Sequence, residues 1–398
     1  MSAVQLCDNV WWVGVKDPGL VVFDIIMTTE YGTTYNSYLV KGSEKTALID
    51  TVKKPFSEEF FANVNEVVSP DKIDYLIVNH TEPDHSGSIL ELLDKNPDLE
   101  IICAAAALPF VKNVLNREAH IRRVKDKEEL DLGDKTLTFR ATPYMHWPDT
   151  MMEFLEQDNI LFSCDGFAAH VSSDEIFADQ VKVDDLDHEI WYYFDKIMRP
   201  YTSFIRKHMA KLADHDVQMI APSHGPIFRQ DAQKHIDRYA EWSRDKSEGS
   251  TSVAIFHISS YGNTTRIAEA LANSLQDYGM TPVLLDVAKM DEGKAREEIE
   301  KARAVMFGTP TFNGDAVKPM WDAVALVSTV HTFGKKAGVF GSYGWSGEGP
   351  KLIADRLAGM RLKVFPENFR TRLVPSDEDM AEVKRFASKF ADFALGEG

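Results

Sequence analysis

The chain is poor in cysteine: Cys7, Cys103 and Cys164 are its only three in 398 residues, and none forms a CxxC pair. Neither a disulfide framework nor an iron–sulfur or rubredoxin-type site is encoded, so an electron relay of that kind must be a separate protein. Long apolar runs are missing too. The longest, Ile101 to Val111, is too short to span a bilayer, and the opening MSAVQLCDNVWW has neither a basic lead nor a sustained apolar region. No membrane is therefore expected, and a reducing cytoplasm is the expected location. Basic charge is also short, with 44 Lys and Arg against 62 Asp and Glu and a formal charge of −18. That balance repels nucleic acid and anionic membrane, and suits solubility or a basic partner. The G-x-G-x-x-G fingerprint is absent after Val253, which disfavours a direct NAD site there.

What is present reads as a two-domain globular protein, 44% hydrophobic and 27% charged, too long for one ordinary core. The small polar stretch Ser247-Glu248-Gly249-Ser250-Thr251-Ser252 reads as a linker, giving domains at 1–249 and 250–398. The second alternates strands (Val253 to Phe256, Pro282 to Leu285, Ala304 to Phe307, Ala337 to Phe340) with helices, closing on a long helix from Asp377 to Leu395. That order predicts a doubly wound parallel sheet. The first is less regular. Strand-like runs include Thr46 to Ile49, Tyr75 to Val78, Glu100 to Cys103, Thr136 to Ala141 and Ile160 to Cys164. Helices are expected at Ser57 to Val68, Leu108 to Asn116, Asp187 to Leu212 and Gln230 to Arg244, in a layered α/β domain.

Directly after Tyr75 to Val78 stands His80-Thr81-Glu82-Pro83-Asp84-His85. In an extended segment alternate side chains share a side, so His80, Glu82 and Asp84 can converge while His85 reaches a second position. Two imidazoles and two carboxylates suit a first-row transition metal, or a pair, better than calcium or magnesium. His146, Asp165 and His224 follow other strand-like runs and can meet the first set at one rim of a sheet. A lone residue of this kind is usually a cap or solvated loop; four strand ends carrying seven such residues argue against that reading. The other histidines, His170 included, read as structural or surface residues, with His170 the nearest to a supporting role.

In the second domain, Ser259-Ser260-Tyr261-Gly262-Asn263-Thr264 opens the first strand-to-helix turn, where hydroxyls and free helix N–H groups make a phosphate nest. Thr309-Pro310-Thr311-Phe312-Asn313-Gly314 and Ser342-Tyr343-Gly344-Trp345-Ser346-Gly347-Glu348 bring aromatic faces and glycines to the carboxyl edge of the sheet, where such folds bind ligands. Tyr343, Trp345 or Phe312 can stack on a flat ring.

The metal run resembles the HxHxDH loop of the metallo-β-lactamase fold, with Glu82 in place of the second His. With Asp165 and the flavodoxin-type loops, the whole chain resembles the two-domain flavodiiron proteins, or A-type flavoproteins. Segments such as Gly32-Thr33-Thr34-Tyr35-Asn36-Ser37-Tyr38 and His146-Trp147-Pro148-Asp149 are similar as well. The resemblance implies a metallo-β-lactamase-like αββα sandwich followed by a flavodoxin-like domain. It implies FMN on the three loops and two iron ions: one on His80, Glu82 and His146, the other on Asp84, His85 and His224, with Asp165 bridging. Two divalent ions against three carboxylates and a bridging hydroxide leave a neutral cluster that can be buried. This chain departs from the family pattern at Asp24, where many members carry His, and at Tyr261, where flavodoxins usually carry Thr.

The expected activity is reduction of dioxygen to water, of nitric oxide to nitrous oxide, or both. The resemblance implies electrons from a rubredoxin-like donor or a reduced deazaflavin. It also implies a head-to-tail homodimer or a dimer of dimers. One rival is a dinuclear zinc hydrolase of the metallo-β-lactamase type with an accessory flavodoxin-like domain. Another is an electron carrier fused to an inactive scaffold, which a complete set of seven ligand positions opposes.

Overall fold

A computed structural model describes residues 2–396, which form two compact units divided between Arg244 and Asp245. The division falls five residues before the expected boundary between 249 and 250, just ahead of the Ser247 to Ser252 stretch. The charge divides unevenly: nearly all the acidic surplus lies in the first unit.

In the first unit a seven-stranded sheet runs Val4–Cys7, Val10–Trp12, Tyr38–Lys41, Thr46–Ile49, Tyr75–Val78, Glu100–Ala104, His120–Val124. A five-stranded sheet runs Glu129–Asp131, Thr136–Ala141, Met151–Leu155, Ile160–Phe162, Met219–Ala221. Period-two alternation splits the second sheet between two cores. Met151 and Leu155 join Leu48, Leu76 and Ile102 of the first sheet in one cluster, which helices Ser57–Val67 and Leu108–Leu115 also enter through Phe60 and Val111. Met152 and Phe154 face Ile190, Ile205 and Ile236 of the helices on the other side. The layers are therefore helix, sheet, sheet, helix.

Strands Val4–Cys7, His120–Val124, Met151–Leu155 and Met219–Ala221 escape the sequence reading. They are short, or carry charges where alternation would place apolar residues. The single helix expected from Asp187 to Leu212 is instead Leu186–Tyr193, a π turn Phe194–Met198, a 3-10 turn Arg199–Tyr201 and Thr202–Leu212. Pro200 lacks the N–H that a continuous helix needs and clashes with the preceding turn.

The second unit has the parallel order Thr281–Asp286, Ser252–His257, Ala304–Phe312, Lys336–Tyr343, Lys363–Val364, with Phe369–Arg372 also beside Lys336–Tyr343. This is the 2-1-3-4-5 doubly wound arrangement, with apolar clusters on both faces. The strands expected to end at Phe307 and Phe340 run on to Phe312 and Tyr343. The missing side chain of Gly308 is what lets them: a Cβ there would lie 2.2 Å from two carbons of the Phe340 ring. Gly308→Ala should therefore lower the unfolding free energy of this unit by about 1–3 kcal/mol, read as an earlier denaturation midpoint. An unchanged midpoint would contradict this packing.

Candidate metal centre and cofactor loops

The loop after Tyr75–Val78 does not stay extended. Pro83–Ser86 forms one helical turn with Pro83 in its first turn, a position that suits proline's fixed φ and missing N–H. The expected alternation of His80, Glu82 and Asp84 therefore fails beyond Glu82. The turn sends Asp84 and His85 one way and leaves His80 and Glu82 the other. His80 Nε2 lies 3.0 Å from Glu82 Oε2, and His146 Nε2 lies 3.4 Å from the same oxygen. On the other side His224 Nε2 is 3.3 Å from Asp84 Oδ2, and His85 Nε2 is 3.7 Å from Asp84 Oδ1.

Asp165 lies between the two groups. Its Oδ2 is 3.5 Å from His146 Nε2 and 3.8 Å from His80 Nε2, while its Oδ1 is 3.2 Å from His85 Nε2 and 3.4 Å from His224 Nε2. A first-row ion bonded to nitrogen and oxygen at about 2.0–2.2 Å holds adjacent donors roughly 3–3.5 Å apart, so these separations suit two ions sharing one carboxylate. Both oxygens of Asp84, both of Asp165 and His85 Nε2 are buried without a hydrogen bond. Buried acceptors in that state are costly unless a cation takes them. Burial would raise the Asp165 carboxyl, but His85, His146 and His224 hold it well below the usual carboxylate range. All seven predicted ligand positions thus come together.

Three imidazoles are aimed by their other nitrogen. His80 Nδ1 is 3.1 Å from Asp149 Oδ2, His85 Nδ1 is 3.1 Å from Asp50 Oδ2, and His224 Nδ1 donates to the Thr34 carbonyl at 2.7 Å. Such partners fix ring orientation and tautomer. Asp149 Oδ2 also accepts from the Thr81 N–H and hydroxyl, so it fastens the loop as well as the ring. The sequence reading missed the part played by Asp50. Its signal was there: it is the acidic residue that follows the fully buried strand Thr46–Ile49. Asp50, His85 and Cys164 also approach one another, but burial pushes the Cys164 thiol well up.

His170 is buried, with Nδ1 2.9 Å from Thr33 Oγ1 and its ring 5.3 Å from His224; burial holds it neutral. Asp24 turns through a positive φ in the short hairpin Val22–Phe23 and Met27–Thr28. Partial burial, then the fields of Glu82 and Asp84, push its carboxyl up to about 6. The departure from His therefore puts a carboxyl within electrostatic reach of the metal-side residues.

In the second unit the three loops interlock. Helix Asn263–Gln276 starts after Gly262 at φ 81°, so Asn263 and Thr264 are its first residues rather than loop. The Thr264 N–H donates to Ser259 Oγ, and Thr264 Oγ1 shares a hydrogen bond with Ser342 Oγ at 2.8 Å. Pro310 to Phe312 end a strand rather than a loop, and Asn313 and Gly314 turn through positive φ to Asp315–Ala316. Thr311 Oγ1 accepts from the Gly349 N–H. Arg372 and Arg370 hold the carbonyls of Gly344 and Gly347, framing the stretch after Tyr343. Ser260, Tyr261, Phe312 and Trp345 are exposed, Tyr261 and Trp345 at 89% and 77%. Hydroxyls and N–H groups at a helix start beside exposed rings fit a phosphate-bearing, flat aromatic cofactor.

Comparison with known proteins agrees with both halves. A family model described as ODP family beta lactamase matches residues 33–225, and one described as Flavodoxin matches residues 255–385. A flavo-diiron protein of Clostridium acetobutylicum is 37% identical, covering 98% of this chain and 99% of its own. A protein of Moorella thermoacetica named nitric oxide reductase is 32% identical, with 98% of each covered. The solved structure of a rubredoxin oxygen:oxidoreductase from Desulfovibrio gigas superposes with a TM-score of 0.70 at 30% identity, covering 99% of each chain. The fold is a metallo-β-lactamase-like domain followed by a flavodoxin domain. The chain belongs to the flavodiiron proteins, the type A flavoproteins.

Asp149→Ala removes the acceptor shared by His80 and Thr81. Metal affinity should fall about 10–100-fold, measured by competition with a chromophoric chelator. Unchanged affinity would mean that His80 needs no such partner.

Proposed function

We propose that this protein is an FMN- and diiron-dependent oxidoreductase that reduces dioxygen to water, nitric oxide to nitrous oxide, or both. The observation that carries the reading is the Asp165 carboxylate with two imidazoles at each oxygen. Relatives named nitric oxide reductase and rubredoxin-oxygen oxidoreductase support it. A dinuclear zinc hydrolase is disfavoured by Glu82, which hardens the site towards iron or manganese, and by the flavodoxin domain.

When bound, FMN supplies stored electrons and the iron pair supplies open positions for a diatomic substrate. His80, Glu82 and His146 would hold one iron, Asp84, His85 and His224 the other, and Asp165, with an oxygen facing each group, would serve both. Asp149, Asp50 and Thr34 keep three of the imidazoles on target. Ser259, Ser260, Tyr261, Gly262, Asn263 and Thr264 receive the phosphate. Pro310, Thr311, Phe312, Asn313 and Gly314, with Ser342, Tyr343, Gly344, Trp345 and Gly347, receive the ring. The metal domain takes in residues 1–249 and the flavin domain 250–398. A rubredoxin-like protein, or reduced deazaflavin, delivers the electrons, a reading supported by a relative named rubredoxin-oxygen oxidoreductase. A head-to-tail homodimer, alone or paired, brings the flavin of one copy to the irons of the other. Among the described residues no helix is long and apolar enough to cross a membrane, and three free cysteines fit a cytoplasmic setting.

The purified protein should hold one FMN and two irons per chain, and its reduced flavin should reoxidise rapidly on exposure to dioxygen or nitric oxide. Asp165→Ala should abolish the iron pair and gas reduction while leaving FMN bound. Two zincs per chain, or full activity in that variant, would overturn the reading.

A further inference from the structure

One buried acid has no part in the site above. Glu153 stands in the middle of strand Met151–Leu155, fully buried. It shares a strand face with Met151 and Leu155 and so points to the core between the two sheets. Its cross-strand neighbours, Phe139 and Phe162, carry no charge. Among the described residues no lysine, arginine or histidine forms an ion pair with it. Its hydrogen bond comes from Asn79, whose Nδ2 donates to Glu153 Oε2 at 2.8 Å. The other oxygen of each partner, Asn79 Oδ1 and Glu153 Oε1, is buried with no hydrogen bond.

Two leftover acceptors on one hydrogen-bonded pair have a single economical remedy. A proton on Glu153 Oε1 would donate to Asn79 Oδ1 and close a reciprocal carboxyl–carboxamide pair. An ionised Glu153 would leave both oxygens unsatisfied and bury an uncompensated charge. We propose that Glu153 is a neutral carboxylic acid at physiological pH, paired reciprocally with Asn79, and that it positions the backbone on which the metal loop begins.

Asn79 is the last residue before His80. Its N–H donates to Asp50 Oδ1 at 2.8 Å, and Asp50 Oδ2 accepts from His85 Nδ1. Its carbonyl accepts from the Met151 N–H. Glu153 thus clamps, through one amide, the strand end that presents His80 and the carboxylate that aims His85. Burial pushes its carboxyl well up, and the like charge of Asp50 pushes the same way, against the Asn79 hydrogen bond.

Infrared difference spectroscopy of the full chain against Glu153→Gln tests this without needing metal or activity. The parent should show the carbonyl stretch of a protonated carboxylic acid at neutral pH, absent in the variant. Glutamine can donate to Asn79 Oδ1 and accept from Nδ2, so Glu153→Gln should keep the melting temperature within about 2 °C of the parent near pH 4.5, whereas Glu153→Leu should lose roughly 5 °C or more. A folded carboxyl raised above its unfolded value gives stability that is full below about pH 4.5 and lost as pH rises. The margin of Glu153→Gln over the parent should therefore widen with pH. No protonated-acid band, a margin flat with pH, or a Gln variant as unstable as the Leu variant would overturn the proposal.

Discussion

Everything in the first unit is arranged around one carboxylate. Asp165 follows the strand Ile160–Phe162 in full burial, and each of its oxygens meets two imidazole nitrogens without a hydrogen bond. A buried anion in that state is tolerable only if positive charge surrounds it. Two divalent ions provide that charge and use the lone pairs of both oxygens. The demand for charge balance, rather than any single ligand, defines the centre.

The sandwich makes this possible by bringing several strand ends to one rim. Tyr75–Val78 delivers His80 and the helical turn with Asp84 and His85, while the segments after Thr136–Ala141, Ile160–Phe162 and Met219–Ala221 deliver His146, Asp165 and His224. Precision comes from the layer beneath. Asp149, Asp50 and the Thr34 carbonyl each take one imidazole nitrogen, and Asn79 with Glu153 ties that layer to the core between the sheets. The second unit follows a different rule: no charge is buried at its three loops, which lock to each other through the hydroxyls of Ser259, Thr264, Ser342 and Thr311.

The metal run was legible because four metal-competent side chains in six residues have no ordinary structural use. The doubly wound half was legible because strand and helix periods alternate cleanly. What stayed hidden depended on tertiary context. The bend at Pro83 reversed the expected alternation, although proline in a first helical turn is a local signal. Pro200 broke a helix that apolar spacing alone would carry through. Strand Met151–Leu155 was missed because Glu153 interrupts its apolar run, and only the Asn79 side chain opposite explains a buried acid there. Asp50 was overlooked although it follows a buried strand, because its role is defined by His85, 35 residues away.

The most direct test of the charge-balance account is anomalous diffraction at the iron absorption edge from crystals of the protein purified without added zinc. Two iron peaks are predicted, one beside each oxygen of Asp165, the first among His80, Glu82 and His146 and the second among Asp84, His85 and His224. A single peak, or a fully ordered Asp165 with no metal beside either oxygen, would contradict it.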